Sequence, residues 1–107
     1  MSTTTRDLNQ EIADLVNNHE VVLFMKGTPT FPQCGFSATA AKILALNGVT
    51  NFRSVNVLAD PEMREAIKAY SNWPTIPQLY IRGEFIGGCD IMREMHEDAS
   101  LAAKLRG

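Results

Sequence analysis

Cys34-Gly35-Phe36-Ser37 sets a thiol three positions before a hydroxyl. In a C-x-x-C pair at a strand-to-helix junction, the second thiol resolves the mixed disulfide made by the first. A serine hydroxyl does not attack a disulfide. C-x-x-S therefore keeps a reactive thiolate and omits its internal resolver, so a second thiol must come from outside that turn. Four residues alone are weak evidence, and a lone cysteine is often just a small buried hydrophobe. Its surroundings decide.

Those surroundings favour chemistry. Val21-Val22-Leu23-Phe24-Met25 reads as a buried strand. The Lys26–Gln33 loop follows, with Gly27, Pro29 and Pro32 forbidding regular structure. Gly35 to Asn47 reads as a helix with Phe36, Ala40, Ile43 and Leu44 on one face and Asn47-Gly48 as its stop. Cys34 then stands at a helix N-terminus, where unpaired N–H groups and the positive dipole end stabilise a thiolate. Lys26, just past the strand, adds a cation near the same sulfur. Such surroundings lower a thiol pKa below its usual value of about 8.5.

The remaining elements form a consistent frame. Leu8, Ile12, Leu15 and Val16 make an amphipathic first helix. Phe52 to Val57 reads as a second strand, completing a βαβ unit with parallel strands. Asp60-Pro61 is an N-cap followed by a first-turn proline, opening a helix through Met63, Ile67 and Tyr70 to about Ser71. Leu79-Tyr80-Ile81 and Phe85-Ile86 are strands joined across Arg82-Gly83-Glu84 as a hairpin. Gly87-Gly88-Cys89-Asp90 breaks the strand, and Ile91, Met92 and Met95 begin a final helical region. The order α-β-α-β-α-β-β-α predicts an α/β fold, a four-stranded mixed sheet flanked by helices on both faces. Trp73-Pro74-Thr75-Ile76-Pro77 precedes the third strand and implies a fixed bend. Pro77 is either a cis proline, leaving the Ile76 backbone free for an extended ligand, or an ordinary trans strand start.

Bulk properties narrow the classes. The 107 residues make one domain, 1–107, with 45% hydrophobic and 21% charged residues. A net charge of −2 and no Lys/Arg cluster argue against a nucleic-acid binder. No apolar run approaches a membrane span. Met1 to Asp7 reads as neither a secretory nor an organelle leader, and two cysteines make no disulfide framework. The expected location is cytoplasmic.

Met25-Lys26-Gly27-Thr28-Pro29, Cys34-Gly35-Phe36-Ser37, Asn72-Trp73-Pro74-Thr75-Ile76-Pro77-Gln78 and Gly87-Gly88-Cys89-Asp90, in this order and spacing, resemble the monothiol glutaredoxins of the CGFS class. The resemblance covers roughly Leu8 to Leu105 and implies a thioredoxin-like fold of the single-domain type. It also implies glutathione as ligand. Lys26 and Arg64 would meet its glycine carboxylate, and Arg suits that planar group. The Ile76 backbone would pair with the cysteinyl backbone. Gly88, Cys89 and Asp90 would hold the γ-glutamyl end, with Asp90 facing its ammonium. For Arg64 the plainer reading is a solvated helix face, and for Asp90 an N-cap.

Two functions follow from the resemblance. In the first, two Cys34 thiolates and two glutathione thiolates hold a [2Fe-2S] cluster across a homodimer. The protein then assembles and transfers clusters to iron–sulfur apoproteins, with a BolA-like partner, and serves iron homeostasis. In the second, Cys34 acts as the catalytic thiol of a glutathione-dependent oxidoreductase. The long Lys26–Cys34 loop favours the first, because in the family it marks weak reductase activity. Cys89 reads as a small residue in a tight turn, or as a slow disulfide partner of Cys34. His19 and His96 show no metal-ligand spacing and read as surface histidines.

Overall fold

Five consecutive apolar residues, Val21–Met25, form β1, and all five are buried. A strand that is apolar on both sides needs cover on both sides, and the rest of the chain supplies it. The computed structural model describes residues 6–107; residues 1–5, most of the segment read above for a leader, lie outside the described residues. In chain order the elements are α1 (Leu8–Asn18), β1, α2 (Gly35–Leu46), β2 (Arg53–Asn56), α3 (Pro61–Ser71), β3 (Gln78–Ile81), β4 (Glu84–Gly87), α4 (Cys89–Glu97) and α5 (Ser100–Arg106). The sheet order is β2-β1-β3-β4. β1 runs parallel to β2 and antiparallel to β3, and β3 and β4 are antiparallel.

Alternation along β1 divides the core. Val21, Leu23 and Met25 pack with Ala40, Ile43 and Leu44 of α2, Met92 of α4 and Leu101 of α5. Val22 and Phe24 point the other way, onto Ile12 and Val16 of α1 and Met63 and Ile67 of α3. The four-stranded mixed sheet with helices on both faces is therefore present as expected.

Local signals set several boundaries. Asp60 caps α3, its side chain accepting the Met63 N–H at 3.2 Å, and Pro61 opens the helix. Arg6 bonds both Asp60 and Glu11, tying the start of α1 to that cap. The β3–β4 turn is tighter than expected. Arg82 and Gly83 alone form it, both at positive φ (48° and 81°), as a two-residue hairpin turn requires.

Three expectations change. Phe36 is 60% exposed, and Ser37 takes its place on the buried face of α2 at 0%. Only the first-turn position differs, since Ala40, Ile43 and Leu44 are buried as expected while the exposed Phe36 lines a cavity. α4 begins at Cys89 rather than beyond Asp90, with Gly88 as N-cap; Asp90 is a first-turn residue, and its N-cap reading is withdrawn. The final helical region is two helices, broken where Ala99 takes φ 67° and Asp98 Oδ1 accepts the Ser100 N–H at 2.8 Å.

Candidate functional site

Cys34 is the N-cap of α2 with extended backbone (φ −153°, ψ 136°) and is half-buried. Its side chain makes no formed cap hydrogen bond. The Ser37 N–H nevertheless holds the thiol below its ordinary pKa, burial partly opposing it, with the Phe36 N–H, the Lys26 charge and the Ser37 hydroxyl adding to it. Cys89 lies the other way. Burial raises its pKa, and the guanidinium of Arg93, 3.7 Å from Sγ, only partly offsets that. At neutral pH, Cys34 is the nucleophile of the two. Site-resolved alkylation against pH should place half-maximal reaction of Cys34 below that of free cysteine and of Cys89 above it; the reverse order would exclude Cys34 as the reactive thiol.

The loop before Cys34 is closed at its base. Gln33 N–H donates to Lys26 O at 2.9 Å, Thr28 N–H to Phe31 O at 3.2 Å, and Gly27 N–H to Asn56 Oδ1 at 2.9 Å. Gly27 has φ 88°, and a Cβ there would stand 2.5 Å from Phe31 O and 2.6 Å from Gln33 N. Gly27→Ala is accordingly expected to cost at least about 1–3 kcal/mol in a denaturant melt. A melt unchanged within error would mean the loop opens freely.

A cavity of about 650 Å³ gathers Cys34 and the residues expected to hold glutathione, Lys26, Arg64, Ile76, Gly88, Cys89 and Asp90. Arg64 lines this cavity rather than only a solvated helix face. The Ile76–Pro77 peptide is cis. Ile76 lies outside β3, and its N–H and C=O bond no other described residue. Gly88 sits tightly here, since a Cβ would come within 3.2 Å of Pro77 O and Trp73 Nε1. Asp90 is exposed and 3.4 Å from Arg93.

Sequence reasoning gave no ligand role to three further residues at or behind the cavity wall. Lys68, one helical turn beyond Arg64 and paired with Glu65 at 3.0 Å, brings a third cation to a lining whose single carboxylate is that of Asp90. The i, i+4 spacing of Arg64 and Lys68 was the available signal. Trp73 contributes an indole Nε1 that is buried without a protein partner, as is Arg64 Nε. Gln78, fully buried, donates from Nε2 to Trp73 O and Thr75 O, both at 3.1 Å, and so shapes the wall.

Unpartnered buried donors are costly, and here two of them belong to residues lining one cavity. With Ile76's free backbone pair and three cations, they fit an extended, peptide-like ligand bearing a carboxylate. The Cys34 sulfur fits a thiol or disulfide partner. No group of three or more His, Cys, Asp or Glu side chains able to share a metal ion occurs among the described residues. A cluster would therefore need ligands from beyond one chain.

Residues 21–86 match the glutaredoxin family model. The monothiol glutaredoxin-5, mitochondrial, of Saccharomyces cerevisiae is 51% identical over 98 residues, covering 90% of this chain and 65% of the relative. The chain thus spans just under two thirds of that relative's length. The solution structure of reduced apo GrxS14 from poplar superposes with a TM-score of 0.81 at 48% identity, covering 92% of this chain and 90% of that one. The crystal structure of a buckwheat glutaredoxin–glutathione complex superposes with 0.81 at 25% identity, covering 92% and 87%. The yeast relative is named mitochondrial, as are those from Danio rerio and Schizosaccharomyces pombe, which overturns the cytoplasmic expectation. The leader reading behind it rested on seven residues alone. With the family model spanning the sheet from β1 to β4 and the thiol pair reduced to Cys34 and Ser37, the chain belongs to the glutaredoxin family, among its monothiol members.

Proposed function

We propose that this chain binds glutathione in the Cys34 cavity and, as a homodimer, carries a [2Fe-2S] cluster for delivery to iron–sulfur apoproteins. The observation carrying this reading is one activated thiol beside unpartnered donors, with no resolving thiol in its turn. Lys26, Arg64 and Lys68 would take the glycine carboxylate, Ile76 the cysteinyl backbone, and the N-terminus of α4 at Gly88 and Cys89 the γ-glutamyl carboxylate. Asp90 would face the ammonium. The cargo needs four thiolates, and two Cys34 with two glutathione sulfurs supply them. Glutathione ligands are exchangeable, which suits transfer rather than storage, and a BolA-like protein is the partner this reading implies. The test is anaerobic reconstitution with iron, sulfide and glutathione, read by visible absorbance and gel filtration. Charge-transfer bands with a shift to dimer support it; an uncoloured monomer overturns it.

The lowered thiol pKa favours a second reading. The Cys34 thiolate would attack the glutathione sulfur of a protein–glutathione disulfide, releasing the protein thiolate and leaving glutathione disulfide-bonded to Cys34. A second glutathione thiolate would then attack that glutathione sulfur, giving oxidised glutathione and restoring the Cys34 thiolate. Turnover on a glutathionylated peptide distinguishes the two readings, because the carrier reading expects it to be slow.

A further inference from the structure

Gln78 opens β3 and is 0% exposed, a rare setting for an amide side chain. Its Nε2 lies 3.1 Å from both Trp73 O and Thr75 O. Carbonyl oxygens only accept, so the atom facing them is the nitrogen, and both of its protons are used. Oε1 is buried without a partner. Burying that oxygen costs stability, and methionine would fill a similar volume without the cost. What the amide contributes is its two donors, which brace the bend from Trp73 to Gln78 from within.

The bond to Thr75 also fixes a direction. The Thr75 carbonyl and the Ile76 N–H belong to one peptide group. That peptide is trans and planar, so its C=O and N–H point in opposite directions. Drawing Thr75 O toward Gln78 turns the Ile76 N–H the other way. Ile76 lines the cavity, and its N–H bonds no other described residue. The Trp73 carbonyl is followed by the nitrogen of Pro74, which carries no proton, so its bond to Gln78 anchors the bend without aiming a donor.

We propose that Gln78 is a positioning residue: by holding the Thr75 carbonyl it aims the Ile76 N–H into the cavity, as the donor that selects a ligand with a main-chain carbonyl. Under the glutathione reading of the cavity, on which this role depends, that acceptor is the cysteinyl carbonyl. Recognition of the ligand's main chain is then set from behind the wall, by a side chain that does not itself line the cavity.

The aim of the N–H can be measured by NMR in the apoprotein, without iron or glutathione. Both Gln78 side-chain amide protons should exchange slowly with water. In weakly aligned solution the Ile76 N–H dipolar coupling should match the cavity-facing orientation, and Gln78→Met should change it while the couplings along β1 stay as they were. Fast exchange of the Gln78 amide protons in the parent overturns the proposal, whether or not the variant folds. So does an Ile76 coupling that ignores Gln78→Met. Calorimetry gives a second readout: Gln78→Met should weaken glutathione binding roughly three- to tenfold. An analogue with an ester in place of the cysteinyl–glycine amide has a poorer carbonyl acceptor and should bind the parent more weakly than glutathione does. Gln78→Met should discriminate less between the two ligands. Equal discrimination by parent and variant would leave Gln78 a packing residue only. A parent that binds no glutathione would instead sink the proposed function, while the slow exchange and the altered coupling would still assign Gln78 its hold on the Ile76 N–H.

Discussion

Reconstituted anaerobically with iron, sulfide and glutathione, the Cys34→Ser protein is expected to remain an uncoloured monomer, its cluster content at least about tenfold below the parent's. Each dimer would lose two of four thiolate ligands, and a hydroxyl is a poor iron ligand. The side chain changes by one atom at a half-buried N-cap, where serine is itself favoured, so the fold should hold. Circular dichroism and thermal melts check that point. Cys89→Ser should lose far less, because its sulfur is buried, its pKa is raised and Arg93 lies against it. Equal losses in the two variants would promote Cys89 to a ligand.

Glutathione itself is the subject of the second large effect. Reconstitution with dithiothreitol in its place is expected to give little dimeric cluster, and adding glutathione should restore it. Dithiothreitol has thiols but no carboxylate for Lys26, Arg64 and Lys68, and no peptide backbone for Ile76. Arg64→Glu should weaken the rescue. Losing charged hydrogen bonds from a half-buried Arg costs about 1.5–3 kcal/mol, or roughly 10- to 150-fold in glutathione concentration. That deficit should titrate away as glutathione is raised, whereas the Cys34→Ser deficit should not, since a missing ligand cannot be supplied in solution. Full occupancy without glutathione would remove it from the ligand set and bring the oxidoreductase reading forward.

What the sequence disclosed depended on how local the cause was. Asp60-Pro61 begins α3 by a contact within one turn, and β1 is apolar throughout, so both were readable from a few adjacent residues. Lys26, Cys34, Arg64, Ile76, Gly88, Cys89 and Asp90 line one cavity, though they are scattered along the sequence. Phe36 was misplaced because helical period alone cannot tell a core position from an exposed cavity-lining one when the two are adjacent residues. Lys68 escaped notice, and Trp73 was read only as part of a bend, because their place in the cavity wall depends on how α3 and the following loop sit against the sheet. The break at Ala99 carries neither glycine nor proline, and an aspartate hydrogen bond makes it instead. Asp90 lost its capping role because Gly88 already ends the extended backbone (φ −96°, ψ −164°).

The central place of β1 has a consequence for synthesis. Val21 pairs with Ile81 in the finished sheet, so the chain must extend some 60 residues before that partner exists. At about 5–20 residues per second, roughly 3–12 s pass during translation with five consecutive apolar residues lacking half their cover. β2 arrives earlier and pairs only one edge. The other edge stays open to strands of neighbouring nascent chains for those seconds. Folding yield should therefore depend on how quickly the ribosome reaches β3. Slowing codons between α3 and β3 are expected to raise the aggregated fraction, while the same codons placed after α4 should leave it unchanged.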